Sequence, residues 1–306
     1  MDTRNQNIER LVSAVKIIDR NTLDDARWNA LVDRTPDASF FSYTWYLDAT
    51  AENWCALIDE EYNFGLALPY SVRLGVETLY TPIFVRYIEL LGNGAMKPSI
   101  KALVFERFKN MNISVKQDLF GSDHTTFEYQ AIQSNAERKL NSQAKRMVNK
   151  AVKNDIAITT TDNFMRVFKI IQKELSGKHD GLDDDSMMSL LKLFEAGGSA
   201  GVIQVYEIEN NGGIACFEND RQTLYLKGTT TVETKSNGGM YALLNESVTK
   251  ALEGHRKFDF GGSRVEGVSR FNKNLGGTDV HYFNYKVDKT PFWFKFARRI
   301  KHAWKK

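Results

Sequence analysis

The chain has 306 residues, 42% of them hydrophobic and 26% charged, with a net charge of +3. That balance suits a globular protein of two ordinary domains and excludes a chain defined by bulk charge or by low-complexity composition. Two cysteines, Cys55 and Cys216, each in an apolar run, exclude a disulfide framework and point to buried thiols in a reducing compartment.

The elements follow from hydrophobic periodicity. Residues 15–18 read as a strand. Thr22 or Asp24 caps a helix bearing Trp28, Leu31 and Val32, which Pro36 ends. A second helix carries Trp45, Tyr46 and Leu47. Runs 55–58 and 64–72 read as a hairpin across Asp59-Glu60-Glu61, and 78–91 is an apolar loop or strand broken by Pro82. A helix at 99–109 and strands at 113–119 and 127–132 complete the first half. A strongly basic helix is predicted over 134–153, its apolar stripe running from Ala136 to Ala151. A strand at 156–160, a helix at 164–175 and another ending at Phe194 come next. Strands at 202–208, 214–218 and 222–231 follow in succession, joined by tight polar turns. The polar turn 235–239 leads into a helix carrying Met240, Leu243, Leu244, Val248, Ala251 and Leu252, with Gly254 as its left-handed stop. A short strand at 257–260, a short helix containing Arg270, Phe271 and Lys273, and a last strand at 280–287 end the pattern.

Strand 222–231, Gly238-Gly239 and the following helix form a unit that can hold an anion on the helix N-terminus, or a plain strand–helix connection. Gly228, inside that strand, marks a bulge or a close approach. The five histidines are scattered without metal-ligand spacing, so no metal site is expected. No run of about 18 apolar residues exists and the start lacks a signal-peptide core, so a cytoplasmic chain is expected.

Asp259-Phe260-Gly261-Gly262-Ser263 followed by Phe271-Asn272-Lys273-Asn274-Leu275-Gly276 resembles the C-terminal signature of FemAB-like proteins of the GNAT acyltransferase superfamily. That signature is an acidic residue ending a strand, a Gly-Ser, then aromatic-x-Lys-x-Phe-Gly; Leu275 stands where Phe is usual. The segment from Leu140 to Ala151, with Lys145-Arg146 and Lys150-Ala151, is similar to a second basic segment of the family. The resemblance implies an α/β fold with mixed α+β sheets, built as two tandem GNAT-like domains packed together. Their expected bounds are 1–125 and 126–290, the latter carrying the site, with a basic amphipathic tail at 291–306. The element order, read as strand, two helices, antiparallel strands, helix and strand in each half, agrees with this.

The resemblance also implies chemistry. An acyl or aminoacyl group passes to an amine by direct attack, with no covalent enzyme intermediate and no bound cofactor; acyl-CoA or aminoacyl-tRNA is the cosubstrate. Tyr225, Lys227, Gly228, Thr229 and Thr231 of the donor-side strand, with Gly238 and Gly239, hold the donor. Lys273 and Asp259 are the catalytic residues, and Arg146, Lys150 and Arg264 meet substrate phosphates. The run Glu233 to Gly239 keeps only adjacent glycines of the usual pyrophosphate loop, which weighs against CoA. The bland readings are a surface lysine at a helix end for Lys273 and a turn-capping acid for Asp259. The basic helix contacts tRNA or another phosphorylated partner, or is a solvated face. The tail touches an anionic membrane, or docks on the domain. The acceptor is an amine, such as a cell-envelope precursor or a small metabolite. Two other readings stand beside this one: an acyl-CoA-dependent N-acyltransferase, and a non-catalytic membrane- or RNA-binding adaptor of the same fold.

Overall fold

The computed structural model describes residues 15–290 apart from 94, 122, 176–181, 263 and 264, together with 292 and 294. The tail at 291–306, Phe292 and Phe294 excepted, and Arg264 lie outside the described residues. The chain divides into two units: one ends at Thr126 and resumes at Tyr282, and the other is Phe127–His281. The last strand therefore straddles the two units, its residues from Tyr282 on belonging to the first.

The first unit contains β1 (Lys16–Asp19), α1 (Asp25–Arg34), α2 (Thr44–Thr50), β2 (Asn53–Ile58), β3 (Phe64–Arg73), β4 (Val76–Tyr80), β5 (Leu90–Gly92), α3 (Pro98–Arg107) and β6 (Asn110–Val115). Strands β1 to β4 pair antiparallel in order, and β4 pairs parallel with β6. The sixth partner comes from the far end of the chain: Phe283 to Asp288 of β13 (Thr278–Asp288) pair antiparallel with β6. Asp24 caps α1 by accepting from the Arg27 amide, which leaves Trp28, Leu31 and Val32 fully buried. The Trp28 indole donates to the Ser42 carbonyl at 2.8 Å, so its one polar atom is not orphaned. The stretch 78–91 is two strands separated by a folded loop. Beyond Tyr80, the Thr81 hydroxyl accepts the Ser114 amide and Ile88 bridges to Val115, so the gap beside β6 is closed by the chain itself.

The second unit follows β7 (Thr125–Ile132) with α4 (Ser142–Lys153), β8 (Thr159–Thr161), α5 (Met165–Leu175), α6 (Asp184–Ser199), β9 (Ile203–Ile208), β10 (Gly212–Glu218), β11 (Gln222–Thr230), α7 (Val232–Ser236), α8 (Gly239–Glu253), β12 (Lys257–Asp259) and α9 (Glu266–Asn274). Strands β8 to β11 pair antiparallel in order, β11 pairs parallel with β12, and β12 pairs antiparallel with β7. Each unit is thus a mixed sheet with the same plan: four antiparallel strands, one parallel strand after a helical crossover, and a closing antiparallel strand. Tyr206, Ile208, Ile214 and Cys216 pack on one face against Ala144 of α4 and Leu243, Leu244, Val248 and Ala251 of α8. On the other face Gly213 abuts Val167 of α5 and Gly197 of α6 abuts Phe217. Both cysteines are buried and free, and burial pushes the Cys55 thiol up to about 12.

Three local expectations are corrected. The basic helix starts at Ser142, not 134, because Asn141 caps it and gives its own amide to the Asn274 carbonyl at 3.0 Å. The turn before α8 contains the short helix α7. Gly254 has φ −81°, and the left-handed residue at the end of α8 is His255, φ +54°.

Candidate functional site

The register of β11 defines the site. Its first three residues pair with β12: Gln222 with Lys257, Thr223 with Phe258, Leu224 with Asp259. There β12 ends, and β11 runs on to Thr230 with β10 as its one strand neighbour among the described residues. Against β10, Tyr225 faces Cys216 and Lys227 faces Ala215, so Leu226 is the extra residue of a β-bulge. Residues 222–224 are buried, whereas 225–229 are all half-exposed. Among the described residues the strand has therefore lost one neighbour beyond Leu224, and its half-exposed backbone has no strand partner on that side.

Two glycines shape the opening. Gly261, φ +75°, lies where a Cβ would stand 2.3 Å from the Tyr225 carbonyl oxygen. Gly228 backs onto Gly213, where a Cβ would meet the carbonyl oxygen at 2.5 Å, the close approach its position in the strand suggested. Burial suppresses the acidity of the Tyr225 hydroxyl. Gly261→Ala should cost about 2 kcal/mol or more, from left-handed strain plus a backbone clash. Its urea midpoint, compared with that of the parent chain, measures this.

Asp259 sits where the two strands part. It is buried, 2% exposed, and its Oδ1 accepts the Gly261 amide at 2.9 Å. This is the turn-capping geometry, placed at the mouth of the opening. Lys273 lies at the last turn of α9, and its Nζ is 2.7 Å from Asp279. Asp279 also accepts from Gln130 Nε2 at 2.9 Å, and the buried Asn272 donates to Gln130 Oε1 at 3.3 Å. The hydrogen bond and charge of Asp279 hold the Lys273 ammonium above the usual lysine range. Gln130 joins the two candidates, since its carbonyl oxygen accepts the Phe260 amide beside Asp259. Asp279 and Gln130 went unread in the sequence, and Asn272 stood in the signature without a role. The one signal was a glutamine inside the otherwise apolar run Tyr129 to Ile132.

The segments that carry the FemAB resemblance meet here. Asn141, at the start of α4, bonds Asn274 of α9 through both backbone and side chain. Arg138 donates to the Leu275 carbonyl at 2.9 Å and covers the C-terminal end of α9. Burial pulls that guanidinium down to about 10.

The remaining expected residues are dispersed. Thr231 caps α7, its hydroxyl accepting from the Thr234 amide. Gly238, φ +93°, is buried with its Cβ position 2.2 Å from the Met147 carbonyl oxygen, and Gly239 packs on Thr234 and Ile208. The close approach these glycines permit is taken up by the chain itself. Lys150 donates to the Ser236 carbonyl at 2.9 Å, while Arg146 projects from α4 into solvent. Thr229 stays on the open strand, half-exposed. Among the described residues no group of histidine, cysteine, aspartate or glutamate is placed to hold a metal ion.

No family model matches the sequence, and no curated protein matches it. Solved structures do match. FemX superposes with a TM-score of 0.59 at 11% identity, over 88% of this chain and 96% of that one. The fold is that of FemX. The C-terminal domain of a protein assigned as a lysylphosphatidylglycerol synthetase, from Agrobacterium fabrum, gives 0.56 at 8% identity over 86% and 91%. L-PGS from Bacillus licheniformis gives 0.54 at 10% identity over 87% and 93%. The tandem α/β architecture implied by the FemAB signature is therefore the observed one, and FemX shares it across nearly its whole length.

Proposed function

We propose that the chain is an acyltransferase of the FemAB-like GNAT type that moves an aminoacyl group onto an amine. The observation that carries this is the opening beside β11: a bulged central strand that loses its neighbour after Leu224, with Asp259 at the point of divergence. Open backbone amides of such a strand can hold a donor carbonyl and stabilise the oxyanion that forms on it. The acceptor nitrogen attacks the ester carbonyl carbon, the C–N bond forms, and the C–O bond to the donor breaks. The leaving oxygen takes the proton that the amine gives up. Asp259 receives or orients the amine, and the Lys273 ammonium stabilises the negative charge that develops.

An aminoacyl ester is favoured over acyl-CoA as donor. The close approach at Gly238, where a pyrophosphate would be cradled, is filled by Met147. The name of the Agrobacterium relative, which joins a lysyl group to a lipid, points the same way. In this reading Arg146, on the solvent face of α4, meets tRNA phosphates, and Lys150 supports it. A cell-envelope precursor with a free amine suits the acceptor role, and the basic tail at 291–306 would bring the enzyme to the membrane carrying it. Among the described residues no helix is long and apolar enough to cross a membrane. A thermal-shift comparison of aminoacyl-tRNA, acetyl-CoA and a long-chain acyl-CoA tests the donor. At a hundredfold excess over Kd the true donor stabilises the fold by about 2.7 kcal/mol. A response to acyl-CoA alone would assign the chain to the CoA-dependent N-acyltransferases, and no response to any would favour the adaptor reading.

A further inference from the structure

Lys227 stands one residue past the bulge, on the exposed stretch of β11. It lies directly opposite Ala215, two residues along β10 from Gly213, whose Cβ position meets Val167 of α5. Lys227 therefore shares the face of the sheet that α5 covers, not the face of Tyr225 and α8. It is half-buried, and among the described residues its ammonium has no hydrogen-bond or ion-pair partner. The nearest acid on that face by register is Glu207, across from Gly213, and it is already bonded to Arg166. Desolvation alone pulls the ammonium below the ordinary lysine range, with no carboxylate opposing it.

An uncompensated charge in the wall of an opening destabilises the empty protein. A lysine retained for structure would have a partner or would snorkel fully into water. Apolar side chains of the same length fit such a position better. What repays the arrangement is an anion that arrives with a ligand and leaves with it.

We infer that Lys227 is a specificity residue that pairs with an anionic oxygen group, phosphate or carboxylate, on a ligand lying along the α5 side of β11. The inference rests on the proposal that this strand is the ligand-binding strand, and it adds the charge and the side from which the ligand is read. A neutral amine-bearing molecule would leave the ammonium unpaired and bind more weakly than one carrying a negative group within reach of the acceptor or donor centre.

The test needs neither donor nor turnover, so it can fail while the acyltransferase reading survives. The full chain and Lys227→Met are titrated separately with inorganic phosphate and with acetate, following Tm. The parent chain is expected to be stabilised by at least one anion, and the arm that responds names the group. Lys227→Met is expected to start from an equal or higher Tm and to bind that anion about tenfold more weakly or worse. Equal responses in the two chains, or no response of the parent to either anion, would overturn the inference. So would a lower starting Tm in Lys227→Met, because a lysine that stabilises the fold has a partner.

Discussion

Lys273→Ala should lower aminoacyl transfer by about a hundredfold to a thousandfold, the range for loss of one group that stabilises a developing oxyanion. The fold should not notice. Lys273 lies at the surface in an ion pair with Asp279, a kind of contact that contributes little to stability. Asp279 keeps its bond from Gln130 when the lysine is removed, and so is not left without a partner. Asp279 holds the ammonium above the usual lysine range, so Lys273 is cationic throughout the neutral range and adds no break to the pH profile there. The check is a single-turnover rate on the two chains, with circular dichroism to show equal folding. A lysine that only decorates the end of α9 would leave the rate unchanged.

Glu89→Ala should be the most destabilising single change in the first unit, at about 3–5 kcal/mol, the cost of removing one partner from a buried ion pair. Glu89 is 2% exposed. One of its oxygens accepts the Ser39 amide and hydroxyl, both at 2.7 Å, and the Ser42 hydroxyl at 2.9 Å. The other lies 2.7 Å from Lys116 Nζ. Burial alone would raise its pKa, but Lys116 and the Ser39 bonds outweigh burial, and the group is held below the ordinary glutamate range. A depressed carboxylate stabilises the fold above the unfolded-state pKa, about 4.3 for glutamate, and that contribution is lost as pH falls through the folded value. Urea midpoints at pH 7 and at decreasing pH, for the parent and Glu89→Gln, should therefore differ most at neutral pH and converge in acid. A constant gap would mean that Glu89 is not ionised in the fold.

Much of this was legible in the residues. The order of elements followed from periodicity, and Asp259, Gly261 and Lys273 stood in a signature that the fold brings around Gln130. The bulge was only half legible. Gly228 announced a close approach, but Leu226, the extra residue, is an ordinary strand leucine that nothing local distinguishes. The start of α4 was misplaced because helical periodicity runs back through Ala136, whereas the backbone amide of Asn141 is spent on Asn274, far along the chain. The transfer of β13 to the first unit at Tyr282 had no local signal either, since it depends on pairing with β6 across the whole second unit. Asp279 was missed for a different reason. Its role comes from a turn that folds it back on α9, not from its neighbours in sequence.

In the proposed reading the donor seats on the side of β11 that β12 leaves beyond Leu224. Amide hydrogen exchange across 225–230, with and without aminoacyl-tRNA, tests it most directly. The amides of that stretch that do not pair with β10 point to the opening, and a donor seated on the strand should slow their exchange while leaving β9, on the other side of β10, unchanged. Protection confined to α4 or α8, with 225–230 exchanging as before, would contradict the assignment and move the site elsewhere in the fold.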